Sequence, residues 1–415
     1  MGLLGLFGSK KTNYALALDI GTEFVKALIF RIEGDKGYVV GYGKQRQRLS
    51  DMQGGAVTDI QGVIENCQKA LTEAQSAAKQ IATQTVIGIA GELVKGTTTT
   101  VKYIRDDPKA RITYKEMREI VDKVQERAFE KTRSQLAWES GHREIDVKLV
   151  NAAIVEVKID GHKVTNPLGF QGKEVEIAIF NAFAPIVHLG ALETIAAGLE
   201  LDLLSIAAEP YAVARSVGLE EKPDFSGIFI DIGGGTTDIA VVRNGGVEGT
   251  KMFALGGRAF TRRIAESMDI PFEQAEELKI NYSHGKVSQK LKKQVGEILL
   301  SDSQVWLSGV ELTLSEFALD LLPAKILLCG GGSQLPEIKK ILETSAWTAR
   351  LPFTKAPQVR FLRPEEVVNI KDETQRISGA QDITPMALAN LAIDLAGEES
   401  VVESILDKAI RAIQT

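Results

Sequence analysis

The chain has 415 residues, 44% of them hydrophobic and 25% charged, with a formal net charge of −6. That length allows two or more domains with real cores, and the composition is that of a soluble globular protein. The acidic balance argues against nucleic acid as a main partner, two cysteines (Cys67 and Cys329) form no disulfide framework or metal spacing, and no apolar run reaches the ~20 residues of a membrane span.

The chain opens on MGLLGLFGSKK, whose apolar core is too short for a secretory signal and which has Leu6 where myristoylation expects Ser or Thr. Leu3, Leu4, Leu6 and Phe7 beside Lys10 and Lys11 suit shallow lipid binding, docking on a partner, or a free end with no role. Next comes YALALDIGTEFVKALIFRI (14–32), an apolar strand, Asp19, a tight turn at Gly21 and Thr22, and a second strand. Lys26 on that second strand is either a surface lysine or a phosphate contact.

Residues 58–81 carry apolar positions at helical spacing, and QTVIGIAG (84–91) reads as a buried strand. Thr113 and Glu116 fit a capping box for a helix that lines up Met117, Ile120, Val121 and Val124. Alternating strands at 143–161 and 173–183 complete a small α+β segment. AAEPYAVARSV (207–217) then predicts a helix, with Glu209 before Pro210 as a capping residue or something more.

FIDIGGGTTDIAVV (229–242) interrupts good strand chemistry with three glycines. Glycine weakens a strand unless another backbone or a ligand must approach closely. The tip, Gly233 to Thr237, can aim backbone N–H groups at an anion, and Asp231 can hold a divalent cation directly or through water. Asp238 is a turn residue or a functional one. AEELK (275–279) sets Glu276 and Lys279 three residues apart, which also fits an ordinary surface pair. AKILLCGGGSQLPEIKKIL (324–342) predicts a buried strand, a turn through Gly330, Gly331, Gly332 and Ser333, and a helix starting near Pro336 whose N-terminus suits phosphate or ribose oxygens. It has neither a Walker ending nor full GxGxxG spacing. The closing EESVVESILDKAIRAI (398–413) is amphipathic with an acidic polar side, which favours packing on the core over anionic lipid.

Three glycine turns in this order, each after a strand, resemble the ATP site of the actin, heat-shock chaperone and sugar kinase superfamily. Asp19-Ile-Gly-Thr22 is similar to its first phosphate loop, Asp231-Ile-Gly-Gly-Gly-Thr-Thr-Asp238 to its second, and Gly330 to Ser333 to its adenosine motif. The resemblance implies an α/β, two-domain actin-like ATPase fold with nucleotide in the interdomain cleft. It also implies ATP and Mg²⁺ as cofactors: Asp19 and Asp231 hold the metal through waters, and the phosphates lie against Gly21, Thr22, Lys26, Gly233, Gly234, Gly235 and Thr236. Glu276, Lys279 and Gly330, Gly331, Gly332 and Ser333 take the adenosine. Glu209 orients the attacking water, with Asp231 the second catalytic residue.

The small α+β segment, with TNPLGFQGKEVEIAIF (165–180) and AAGLELDLLSIAAEP (196–210), resembles the bacterial cell-division actin FtsA, which carries an SHS2-like insert in its first domain. The pilus protein PilM shares that insert, and the leader is similar to PilM leaders. The expected layout is a leader at 1–11, a first domain at 12–83 and 181–222, the inserted α+β subdomain at 84–180, a second domain at 223–364 with its own insert at about 260–322, and a C-terminal segment, 365–415, returning to the first domain. The implied function is an ATP-binding, filament-forming scaffold at the inner face of the cytoplasmic membrane, cytoplasmic and peripheral, and a slow Mg-dependent ATPase at most. Its implied partners are further copies of itself, the inner membrane surface, and a tubulin-like division protein or a pilus inner-membrane protein. A small-molecule kinase of the same superfamily fits less well, because no acid is poised in a Gly-rich turn of the insert. A pseudo-ATPase scaffold is disfavoured by two intact phosphate loops.

Overall fold

The computed structural model describes residues 14–91, 94–140, 146–217, 224–317, 319–344 and 346–396. The leader and the amphipathic run at 398–413 lie outside these residues. In chain order the first lobe begins with β1 (Tyr14–Ile20), β2 (Phe24–Glu33), β3 (Lys36–Arg46), the short pair β4 (Met52–Gln53) and β5 (Ala56–Val57), α1 (Ile60–Ala78) and β6 (Gln84–Ile89). There follow β7 (Lys95–Ile104), α2 (Tyr114–Ser140), β8 (Val147–Ile159), β9 (His162–Lys163), β10 (Glu174–Pro185), α3 (Ile186–Gly198), β11 (Asp202–Ala208) and α4 (Glu209–Ser216). The second lobe holds β12 (Gly227–Ile232), β13 (Thr237–Arg243), β14 (Gly246–Phe253), α5 (Gly257–Met268), α6 (Phe272–Ser283), α7 (Gln289–Ser315), β15 (Lys325–Cys329), α8 (Pro336–Leu342) and β16 (Gln358–Phe361). Then β17 (Ile370–Asp372) and α9 (Ile383–Ala396) follow.

The first sheet runs β11-β6-β1-β2-β3-β17. Its register sets Asp19 opposite Lys26, so the acid before the turn and the lysine after it share one cross-strand position. Helix α1 buries Val63, Cys67, Ala70, Leu71 and Ala74 on this sheet. Glycine on β3 permits that approach: a β-carbon on Gly43 would lie 1.8 Å from the Ala70 carbonyl oxygen. Asp59 caps α1, accepting from the Gly62 N–H at 3.1 Å.

After leaving the second lobe, the chain returns to this sheet through β17, which pairs with β3, and through α9, whose Ile383, Met386, Ala387, Leu388 and Leu391 are buried. Arg215 of α4 holds α9 through Asp394 at 3.1 Å.

The second sheet runs β16-β15-β12-β13-β14-β7-β10-β8-β9. Its β12–β13 hairpin sets Asp231 opposite Asp238. On one side lie α5 to α7, with Trp306 fully buried and donating its Nε1–H to the Thr237 hydroxyl at 2.9 Å.

The inserted α+β segment differs from the expected layout in two ways. Strand β6 pairs in parallel with β1 and β11, so it is part of the first sheet and the insert's own elements begin with β7 and run through β10 to Pro185. The insert's sheet also continues the second lobe's sheet, because β7 pairs with β14 through Thr97 and Gly249, and Gly96 and Thr250. The helix α2 lays Met117, Ile120, Val121 and Val124 on this sheet. Only half of its capping box forms. Thr113 Oγ1 accepts from the Glu116 N–H at 3.3 Å, while the Glu116 carboxylate turns to the buried Arg105. Among the described residues no helix is long and apolar enough to cross a membrane.

Candidate functional site

A cleft of about 310 Å³ opens where the glycine turns of both lobes meet the starts of α4 and α5, the body of α6 and the entry to α9. The first turn closes when the Gly21 N–H donates to the Phe24 carbonyl at 3.1 Å. A β-carbon on Gly21 would stand 2.9 Å from that carbonyl oxygen, which explains glycine there. Lys26 is no surface lysine. Its ammonium lies 3.4 Å from Asp19 Oδ2 and donates to the Gln381 carbonyl at 2.5 Å. Burial disfavours its charge, but Asp19, Asp382 and Asp231 more than offset this and hold its pKa up.

The second turn places Asp231 in the same cleft from the opposite lobe. It closes through the Gly233 N–H and the Thr236 carbonyl at 2.9 Å. Asp231 Oδ2 accepts from the Thr384 hydroxyl at 2.5 Å. Burial raises the pKa of both Asp19 and Asp231. Asp238, opposite Asp231, is buried and accepts from the Thr236 hydroxyl at 3.0 Å, and burial with the Asp231 charge pushes its carboxyl up to about 7.

Glu209 is the first residue of α4 and points at this group. Helix α4 starts after Ala208 with no side-chain cap, so Glu209 does not serve as one. Burial, then the charges of Asp19, Asp238 and Asp231, drive its pKa well above the usual carboxylate value. Gly88 makes room for it: a β-carbon there would sit 2.5 Å from Glu209 Oε1.

Another wall of the cleft is built by α5 and α6. Glu276 and Lys279 form an i, i+3 pair at 2.8 Å, but it is buried, not on the surface. The Lys279 ammonium also donates to the Gly257 carbonyl at 2.9 Å and to Thr261 Oγ1 at 2.7 Å. Gly330, with φ of 79°, starts the third turn, and Gly330, Gly331 and Gly332 line the cleft. Two sequence candidates do not line it. Ser333 is fully buried and donates its hydroxyl to the Gly330 carbonyl at 2.7 Å, bracing the turn. Gly235 faces the first turn, where a β-carbon would lie 2.8 Å from Thr22 Oγ1.

Several lining residues carried no sequence signal: Glu23, Lys44, Arg258, Gln381 and Thr384. The last two come from the segment entering α9, more than 350 residues after the first turn by the Lys26–Gln381 separation.

The donor set fits a hydrated cation against phosphate better than a protein cage. No group of three His, Cys, Asp or Glu side chains converges on one point among the described residues. Two carboxylates from opposite lobes, with their pKa values held up by burial, gain from a nearby dication that keeps its waters.

A family model described as "Cell division protein FtsA" matches residues 228–380, from β12 through β17 to the segment before α9. The chain is 27% identical over 414 residues to the cell division protein FtsA of Neisseria meningitidis serogroup B, covering 94% of this chain and 92% of that one. It is 26% identical over 352 residues to FtsA of Pseudomonas aeruginosa, covering 79% and 80%. Among solved structures, a chain of the PilM-PilN type IV pilus biogenesis complex superposes with a TM-score of 0.63 at 19% identity, over 94% of this chain and all of that one. The ethanolamine utilization protein EutJ from Carboxydothermus hydrogenoformans gives 0.51 at 16% identity, over 92% and 90%. These likenesses give the two-lobed actin-like fold.

Proposed function

We propose that this chain, which is FtsA-like and actin-like in fold, is an ATP-binding protein that assembles into filaments of its own copies and links the cell-division ring to the cytoplasmic membrane. The observation that supports the nucleotide site most is the meeting of Asp19 and Asp231, one from each lobe, around Lys26 in a cleft ringed by glycine turns. In this reading the turns at Gly21–Thr22 and Gly233–Thr236 offer N–H groups to the phosphates, and Lys26 adds charge. Glu276, Lys279 and Gly330–Gly332 receive the adenosine. Asp19 and Asp231 hold Mg²⁺ through water, and the bound ion supplies the positive charge that the phosphates need. Glu209, whose carboxyl is held beside Asp19, Asp231 and Asp238, would orient the attacking water. Turnover is slow at most, and the nucleotide acts chiefly as an assembly switch.

Titration calorimetry with MgATP, with EDTA as control, tests the site: heat of binding that vanishes in EDTA supports it, and no heat in either condition refutes it. Sedimentation with and without MgATP tests assembly. The membrane step is assigned to residues 1–9 together with a partner. Liposome co-sedimentation of the intact chain and of one starting at Lys10, with and without the partner, tests it; equal pelleting throughout refutes it. A PilM-like role in type IV pilus assembly is the second reading, favoured by the superposition over the full length of that chain. Co-purification decides between them: a tubulin-like division protein supports the first, a pilus inner-membrane protein the second.

A further inference from the structure

The two glycine turns do not merely face each other; one residue holds both. Arg258, in the first turn of α5, donates its backbone N–H to the Gly234 carbonyl of the second-lobe turn at 2.8 Å. Its guanidinium reaches into the first lobe. There Nη2 donates to the Thr22 carbonyl at 2.6 Å, Nη1 to the Met52 carbonyl at 3.0 Å, and Nε to Glu23 Oε2 at 2.7 Å. The other Glu23 oxygen accepts from Arg46 at 2.7 Å, so Glu23 is held from both lobes at once. The Arg258 and Glu23 side chains are only 7% and 11% exposed. The turns themselves touch here: a β-carbon on Gly234 would lie 2.7 Å from that of Glu23.

Resting on the nucleotide reading of this cleft, we infer that Arg258 is a positioning residue that locks the two phosphate turns at one spacing. The Thr22 carbonyl it grips belongs to the peptide that precedes the Glu23 N–H, so the grip fixes the orientation of the first turn's amides. Its own N–H fixes the second turn through Gly234. A phosphate chain meets both sets of donors only while this latch is closed. A lysine cannot replace it, because a point-like ammonium lacks the fork that spans two carbonyls and a carboxylate. The pair therefore couples lobe closure to occupancy of the phosphate end of the cleft, and leaves the base end around Glu276 and Lys279 to bind independently.

The test compares the full chain with R258K and R258M, by amide hydrogen exchange without ligand and by binding of MgATP and of adenosine. Exchange at 21–23 and at 233–236 should rise together in both variants, while the strands β1 and β2 stay protected. MgATP should bind about tenfold more weakly, within the usual range of coupling between sites, and adenosine as tightly as in the parent. A structural defect alone would weaken both ligands alike, and that result overturns the inference. So does exchange that rises in one turn but not the other in R258K, the variant that keeps the charge and most of the stem. If the parent chain binds no MgATP, the nucleotide reading falls and the exchange result alone decides the latch.

Discussion

Gly330 and Asp231 meet so closely that a β-carbon on Gly330 would stand 2.1 Å from Asp231 Oδ1. Gly330 also has φ of 79°, in the left-handed region that side chains resist. Parallel pairing of β12 with β15 brings the two together, so the third turn acts as the wall against which the Asp231 carboxylate is placed. Gly330→Ala should cost about 2 kcal/mol or more of stability, because strain and clash add at a buried site. It should weaken MgATP binding as well, by displacing Asp231. Urea unfolding with calorimetry checks this; a variant equal to the parent in both would remove Gly330 from the support of Asp231.

Asp231→Ala should weaken MgATP binding at least about tenfold, the scale seen when an outer partner of a bound metal is lost. The fold should survive, since the charge of Asp231 opposes the buried state of its neighbours Asp238 and Glu209. Thermal unfolding beside calorimetry measures both effects. Unchanged affinity in a folded variant would sink the role given to Asp231.

The parts of this site that could be read in the sequence are those where the chain breaks its own local rule. Three glycines between Ile232 and Thr236 contradict the strands on either side, and only close approach of something else justifies them. The helices were legible where one face is apolar, as with Met117, Ile120, Val121 and Val124. What stayed hidden is joined only by tertiary structure. Thr384 reaches Asp231, and Gln381 reaches Lys26, from the entry to a helix that is buried almost all round and so advertises no face. The attachment of the insert to the second lobe was equally silent, because β7 and β14 join by backbone. Its one trace is a pair of glycines: a β-carbon on Gly249 would lie 3.0 Å from the Gly96 carbonyl oxygen.

Glu209→Gln should slow hydrolysis of bound ATP about a hundredfold, the lower range for losing a general base, with nearly unchanged affinity. Orienting water matters in the transition state, whereas affinity comes from phosphate and adenosine contacts. Single-turnover rates beside equilibrium binding separate the two. A large loss of affinity with normal turnover per bound ATP would make Glu209 a binding residue instead.

Asp238 makes the metal-free protein sensitive to pH in an unusual direction. Burial first, then the Asp231 charge, raise its carboxyl from 3.8 to about 7, against the pull of the Thr236 hydroxyl. A carboxyl raised in this way binds more protons folded than unfolded between about pH 4 and 7. Its contribution to stability therefore falls as the pH climbs through that window, and the full penalty stands above 7. Each pKa unit is worth about 1.4 kcal/mol, so the penalty at pH 8 is on the order of 4 kcal/mol before any relaxation. Asp238→Asn keeps an acceptor for Thr236 and removes the charge. In EDTA it should raise the unfolding free energy at pH 8 by about 1 to 4 kcal/mol, and by clearly less at pH 5, where Asp238 in the parent is already protonated. Asp19 and Asp231 shift the same way in both proteins, and removing the Asp238 charge also relieves Glu209, so the difference reports Asp238 together with its coupling to Glu209. Urea unfolding of parent and variant at the two pH values decides it: an equal difference at both would mean that Asp238 ionises freely in the folded chain, as a solvated turn residue does.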